Sequence, residues 1–375
     1  MIMIKNTLVT IVMMIILNTC VAVGIKADTV EGIRIDTVNF PDDVFRKTAS
    51  YYDTDNNGYL SDDEIKKITS IYYDGGDNSF HRRVTSLKGI EYFRCLETLH
   101  LMETQVTSID LSQNKNLAKV SILNPNTKEL VFPQNGKITE LSLINYESKL
   151  LDLSMLTELN KIELNGCVNL ETMDLSMNHK LKSVALNAGT DSKGKRKNNR
   201  LKTITIGDNE NLRYLSCDNL LNLETINIDK TPVLKSIYVK NNKKLKFINT
   251  INMPELSKLN VEGCGLKALN VSKNLKFQFL NCDNNKLKKL SVTQNKALKQ
   301  LYCSKNKLSK LNIRNNVNLK TLKCDSNKIK ALNLSKNKKL SKLTCKKNKI
   351  KKLDIRKTKL KIKKIKCDNK VIISK

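Results

Sequence analysis

Acidic side chains are in short supply in this 375-residue chain: 36 Asp and Glu stand against 67 Lys and Arg, a formal net charge of +31. That imbalance excludes an acidic disordered chain, and 40% apolar residues leave material for a large buried core. Long apolar runs are missing as well. The run from Leu8 to Leu17 is short for a membrane span of roughly 20 residues, and no longer one follows, so no transmembrane segment is expected. Histidines are few and scattered (His81, His100, His179), and no C-x-x-C pair exists, which argues against a His/Cys metal centre. No nucleophile with a base, no Gly-rich phosphate loop and no catalytic carboxylate pair stands out. An enzyme is not expected.

The shortage of acids is local. Residues 271–375 hold 33 Lys and Arg and only 4 Asp, a balance of +29, which leaves +2 for residues 1–270. Such a basic end predicts an anionic partner more readily than it predicts a fold.

Residues 1–27 combine a charged start at Lys5, a short apolar core and small residues at Ala22, Gly24 and Ala27. This describes a secretory signal peptide and a mature chain outside the cell. A lipid-anchored form would use Cys20, in Leu17-Asn18-Thr19-Cys20. Thr19 is larger than the small residue such sites favour, so the cleaved form is the expectation.

Residues 53–64 read Asp53-Thr54-Asp55-Asn56-Asn57-Gly58-Tyr59-Leu60-Ser61-Asp62-Asp63-Glu64. Oxygen ligands fall at alternate positions (Asp53, Asp55, Asn57), and Gly58 stands at the sharp turn. Tyr59 offers a carbonyl, Ser61 a water-mediated contact and Glu64 both carboxylate oxygens. This is the EF-hand calcium pattern, because Ca²⁺ takes six to eight hard oxygens from a loop wound around it. Phe40 to Phe45 has the pattern of a helix start, and Ile65, Ile68 and Ile71 recur at helical spacing after the loop. A single loop suits a structural calcium better than a switch.

From Leu96 onward the chain repeats itself. Leu298-Lys299-Gln300-Leu301-Tyr302-Cys303-Ser304-Lys305-Asn306-Lys307-Leu308 is followed by the same pattern from Leu319 and again from Leu340. The sixth position, followed through the chain, is Leu101, Ile122, Leu143, Leu164, Leu186, Cys217, Val239, Val261, Cys282, Cys303, Cys324, Cys345 and Cys367. Eleven of the twelve spacings are 21 or 22 residues. The exception, 31, contains the polar insert 187–200, expected to loop out. This is a leucine-rich-repeat signal of about 13 turns. Each turn gives a short strand, and Asn285, Asn306, Asn327 and Asn348 stand where the chain leaves it, suited to satisfy free backbone groups at the bend. Residues 28–95 read as an EF-hand-like N-terminal cap and residues 96–375 as the solenoid, with Val371–Ile373 the only candidate for a C-terminal closing strand.

The L-x-C-x-x-N units at Cys282, Cys303, Cys324 and Cys345 resemble those of secreted bacterial leucine-rich-repeat proteins, the internalin-like kind with 21-residue turns and a cysteine ladder. The EF-hand-like loop ahead of them is similar to that of secreted proteins of Gram-positive bacteria. The resemblance implies a curved solenoid with a parallel sheet on its concave face, used for binding a protein or glycan at a cell surface, often in adhesion. The chain departs from that group in lacking a Leu-Pro-x-Thr-Gly sorting motif, so any hold on the bacterial surface is expected to be loose.

Cysteines on the strand column are expected to be free buried thiols, because side chains stacked on parallel strands point in parallel rather than towards each other. Cys167 and Cys264 fall in the Asn column. Tyr214, Tyr238, Phe279 and Tyr302 occupy outward strand positions, either as contact anchors or as residues that simply favour strands. Lys286, Lys307, Lys328 and Lys349 recur at 21-residue spacing and should form a file along one rim. The file fits a second function, binding an anionic polymer such as an acidic glycan or a teichoic-type chain at the envelope, with nucleic acid disfavoured as the natural partner. The competing reading of the file is a plain solvated surface.

Overall fold

The computed structural model describes residues 32–73, 83–123, 127–134, 136–190, 193–195 and 198–375. The signal-peptide reading of residues 1–27, Cys20 included, lies outside the described residues.

One short strand per turn places alternate side chains inward, and successive strands stack in parallel. Fourteen strands, from Ser70–Tyr73 to Ile365–Lys366, form the main sheet in sequence order. Leu101 lies opposite Ile122, and Leu143, Leu164, Leu186 and Cys217 continue the column. Beyond Cys217 the strands shorten. Their last paired residues keep the register (Ser216, Tyr238, Asn260, Asn281, Tyr302), and backbone bonds carry it one residue further: Cys282 N–H donates to Tyr302 O at 2.8 Å and Cys303 N–H to Lys323 O at 2.8 Å. Each step of the column seen in the sequence is therefore a step of the sheet. The polar insert leaves register intact, since Asn187 still faces Asp218; of its described residues Lys193–Lys195 are exposed, whereas Ala188 and Asn199 at its two ends are buried against the stack rather than looped out.

The sheet begins earlier than the repeat pattern does. Ile71 is not on a helix: the helix after the loop at 53–61 spans Asp62–Lys67 and ends at Ile68, and Ser70–Tyr73 pairs with Thr98–Leu101. Ile68 and Ile71 are both buried. Alternation in Ser70-Ile71-Tyr72-Tyr73 favours the strand, where pairing with the next turn satisfies the backbone. The preceding helix, Asp43–Ser50, is capped by Asp42, which accepts from Val44 and Phe45 N–H at 3.0 and 2.8 Å. The other oxygen of Asp42 accepts from Thr85 N–H at 2.8 Å, tying the helix to the solenoid. Phe40, Phe45 and Phe93 fill the space between, with ring centroids 6.0 to 6.2 Å apart.

The second wall is less regular. Thr172–Asp174, Thr203–Gly207 and Thr225–Ile228 form one parallel sheet, and Ile372–Ser374 closes the far end against Lys352–Asp354. Between the walls lies one continuous core, in which Leu280, Leu301, Leu322 and Leu343 from the sheet meet Leu287, Leu308, Ile329 and Ile350. Each such side chain contributes roughly 1.5–3 kcal/mol by leaving water. A lone turn could not collect it, because its partners belong to the turns on either side.

Buried asparagines hold the bends. Asn306 Nδ2 donates to Cys282 O in the preceding turn at 2.9 Å and to Cys303 O in its own at 3.2 Å, while its Oδ1 accepts from Leu287 N–H at 3.0 Å. Asn285, Asn327 and Asn348 repeat these bonds. The residue before each (Asn284, Lys305, Ser326, Lys347) takes the left-handed conformation, with φ of 53° to 57°, which turns the amide inward. A second ladder, unnoticed in the sequence, holds the other bend: Asn316 Nδ2 reaches Val292 O and Asn295 O at 2.9 Å, and Asn274, Asn295 and Asn337 do the same. Replacing Asn306 by Ala strands buried carbonyls and one N–H and should cost about 2–4 kcal/mol in urea unfolding. Exposed Asn315→Ala should cost under about 0.5 kcal/mol.

No two described cysteines are joined. Cys217, Cys282, Cys303, Cys324 and Cys345 are buried in the strand column, and Cys95 and Cys367 are half-buried. Burial pushes the column thiols up, Cys345 to about 12. Cys264 takes the place of a ladder asparagine, its S–H donating to Val239 O at 2.9 Å; Cys167 does so more weakly, 3.7 Å from Leu143 O. A thiol reagent should label Cys95 and Cys367 in the native protein and the column cysteines only after denaturation, as peptide mass mapping would show.

Candidate functional site

Three groups of chemically active side chains follow from this scaffold. The first is the outward face of the main sheet. Because the register is regular, Tyr214 and Tyr238 become diagonal neighbours, with centroids 5.8 Å apart, and Phe279 meets Tyr302 edge-on at 5.5 Å and 83°. Lys323 Nζ lies 4.1 Å above the Tyr302 ring, and the Tyr302 hydroxyl donates to Gln300 Oε1 at 3.1 Å. Lys258 and Asn260 separate the two aromatic pairs. The four aromatics named from sequence thus form two pairs rather than one patch. A third aromatic contact escaped sequence reading: Tyr72 lies directly opposite His100, 6.1 Å away, where Lys119, Glu140, Lys161 and Glu163 line a hollow of about 310 Å³. Tyr72 precedes the first recognisable repeat, so only the register of its strand reveals it. Charges at that end compensate each other, with Lys119 and Glu140 at 3.3 Å.

The second group is the basic end. Lys286, Lys307, Lys328 and Lys349 are all exposed, and their backbones stack turn on turn: Lys307 N–H donates to Leu287 O and Lys328 N–H to Leu308 O, both at 2.8 Å. They form the expected file. What the few acids do was not legible in sequence. Asp283 accepts from Ser304 N–H, and Asp325 from Lys346 N–H at 2.7 Å and from the Thr344 hydroxyl. Asp368 accepts from Lys347 N–H at 2.8 Å and Asn348 N–H at 3.2 Å, and Asp354 pairs with Arg356 at 2.6 Å. Three of the four carboxylates therefore staple one turn to the next through the backbone. Burial, reinforced by nearby Glu262, raises Asp283 to about 6 despite its backbone bond. Among the described residues, the ion pairs made by residues 271–375 are those of Lys276, to Glu255, and of Arg356, to Asp354. The remaining lysines there make no such pair with a described residue, although Lys323 lies near Asp283 and Lys346 and Lys370 near Asp368.

The third group is the loop at 53–64. Carboxylate oxygens of Asp53, Asp55 and Glu64 lie within 4.8 Å of one another. Asn56 and Gly58 take left-handed φ of 57° and 81°, winding the loop, and Asp53 accepts from Asn57 and Gly58 N–H at 3.1 and 2.9 Å. Asn57 Oδ1 accepts from Tyr59 N–H at 2.8 Å. Tyr59–Leu60 pairs with Ile33–Arg34, and Ser61 caps the next helix in a box with Glu64. Burial alone would raise Glu64, but N–H and O–H groups of Ser61 and Thr54 outweigh it and hold the carboxyl at about 2. Hard oxygen donors converging on one point fit a Ca²⁺ ion, which would take over from the two hydroxyl donors on Glu64.

No protein-family model matches this chain, and no curated protein matches it. Solved structures do. The functional domain of InlJ from Listeria monocytogenes, which includes a cysteine ladder, is 21% identical with a TM-score of 0.54, over 92% of this chain and 72% of that one. The leucine-rich repeat domain of APL1B is 18% identical with a TM-score of 0.57, over 80% and 89%. The LRIM1/APL1C complex matches at 19% identity and 0.52, over 78% of this chain and 63% of that one. With identities this low the likeness establishes the fold: the chain is a leucine-rich-repeat solenoid with its parallel sheet on the concave face.

Proposed function

We propose that this is a secreted binding protein whose concave sheet recognises a protein or glycan at a cell surface, with a role in adhesion or surface interaction. The observation that carries the reading is the pair of aromatic contacts, Tyr214–Tyr238 and Phe279–Tyr302, presented outward on a rigid sheet. Aromatics held this way present contact area without losing much entropy on binding. Similarity of fold to a protein found in the LRIM1/APL1C complex supports a protein partner. No helix among the described residues is long and apolar enough to cross a membrane. The natural partner should be captured from cell-wall or host-surface extracts by the full chain. Tyr238→Ala combined with Tyr302→Ala should then weaken binding at least about tenfold, hot-spot aromatics being worth more than about 1 kcal/mol each. Unchanged affinity would remove the concave face from the reading.

In the same reading, Asp53, Asp55, Asn57, Tyr59, Ser61 and Glu64 hold a structural calcium that stiffens the N-terminal cap. Millimolar calcium should raise the thermal midpoint of the chain, since an ion binding only the folded form stabilises it by mass action. Asp55 is exposed. Asp55→Ala should abolish the calcium-dependent rise and lower the calcium-free midpoint only slightly, through loss of the two exposed bonds it accepts from Asn57; a wild-type midpoint indifferent to calcium and chelator would eliminate the ion.

A second reading is favoured by one observation, the lack of acidic partners for the lysines of residues 271–375. In it the protein associates with the envelope by binding an anionic polymer through its basic turns.

A further inference from the structure

The file of Lys286, Lys307, Lys328 and Lys349 does not stand alone. On the same four bends Lys288, Lys289, Lys310, Lys330, Lys351 and Lys352 also face solvent. Inward residues alternate with them: Leu287, Leu308, Ile329 and Ile350 are buried in the core. Of the twelve outward positions on these bends, ten are lysine, the other two are Ser309 and Ala331, and none is acidic. Backbone bonds between the bends fix their stacking, so at about 4.8 Å per turn the lysines make a wall roughly 14 Å along the solenoid axis. The opposite bends are diluted by Gln294, Asn315, Val317 and Asn318. High density is thus a property of one flank.

That flank also has a shaped feature. Where neighbouring turns carry Lys310 and Lys352, the third turn has Ala331. The missing side chain opens a hollow of about 580 Å³ lined by Lys330, Lys349, Lys351 and Lys352.

We propose that this flank is the binding site for a linear polyanion lying across the turns, with one anionic group seated over Ala331. The proposal rests on the polymer reading above and gives it a place and a chemistry. All ten cations are lysines, point charges that respond to charge density rather than to the planar two-pronged geometry that arginine selects. No aromatic residue interrupts the twelve positions, so the flank offers nothing on which bases could stack. The fitting ligand is therefore an unbranched polyol or saccharide chain bearing repeated phosphate or carboxylate groups, not a single-stranded nucleic acid. Crowding of like charges is relieved when such a chain releases its counterions on binding.

The test uses the full chain and three probes of matched length: a glycerol phosphate polymer, a polyuronate and single-stranded DNA. At low salt the first two should bind, with affinity falling steeply as salt rises. Replacing Lys288, Lys330, Lys351 and Lys352 together by Gln should weaken binding more than about tenfold, and removing the same charge from the opposite bends (Lys296, Lys320, Lys336 and Lys338 to Gln) should change it less than about threefold. Ala331→Gln fills the hollow without changing charge and should weaken binding several-fold, with unchanged circular dichroism and thermal midpoint verifying the fold of each variant. Equal losses from both lysine sets would overturn the flank as the site while leaving the polymer reading in force. Failure of the unmodified chain to bind any probe would overturn the polymer reading itself. Tighter binding of DNA than of the other probes would overturn the proposed chemistry, and the stronger of the remaining two identifies phosphate or carboxylate as the recognised group.

Discussion

Register between turns is the constraint on which the rest of this molecule depends. Each turn has an apolar face it cannot bury alone, so its stability lies in its neighbours. A slip of one residue would turn Leu280 and Cys282 to solvent and bring Asn281 and Asp283 into the core. Backbone pairing along short strands is weak insurance against that slip. The stronger device is the buried amide. At each bend two carbonyls are left without a helix or sheet partner, and Asn supplies two donors from one nitrogen at the depth required. Asn316 spends both on Val292 and Asn295, leaving its oxygen without a donor among the described residues. Asn306 does better, since its oxygen also accepts from Leu287. Cys264 and Cys167 show the lower limit of the arrangement, a single S–H towards a carbonyl at 2.9 and 3.7 Å.

The same requirement explains where the scarce acids stand. Asp283, Asp325 and Asp368 follow the inward cysteine of alternate turns, at the point where the chain leaves the sheet. There a carboxylate can accept a backbone N–H of the adjoining turn, at 2.7 Å for Lys346 and 2.8 Å for Lys347. Charge-assisted bonds of this kind are stronger than neutral ones. Three of the four acids in this section thus serve stacking, and with 33 Lys and Arg beside them most of the basic residues have no acid to pair with.

Which features were legible in the sequence follows from whether they repeat. The column from Leu101 to Cys367 was readable because the core imposes one residue type at each turn, and the free, inward cysteines followed from it. The convergence of Asp53, Asp55 and Glu64 was readable because a loop wound around a point places alternate residues on the same side. Outward positions carry no such demand. Tyr72 against His100, the pairing of Tyr214 with Tyr238, and the widening of one lysine file into a wall all depend on which residues the stacking brings side by side. Ile71 was misplaced for the converse reason: three isoleucines at helical spacing fit a buried helix face, but one of them was claimed by sheet pairing. Local periodicity cannot weigh a strand partner that lies 28 residues away, where Leu99 faces Ile71.

Separation of inward and outward demands also bears on the cost of the charge. Ammonium groups on neighbouring turns repel by roughly 1 kcal/mol per close pair in water, less once salt and splayed side chains are counted. A small domain with a shallow core would be strained by ten of them on one flank. Here the positions that hold the stack together, Leu287 to Ile350 and the amides beside them, are buried and uncharged, and they alternate with the lysines rather than compete with them. The scaffold therefore tolerates a charge density it does not need. Density of that kind, confined to one flank, is what the proposed polyanion site would use.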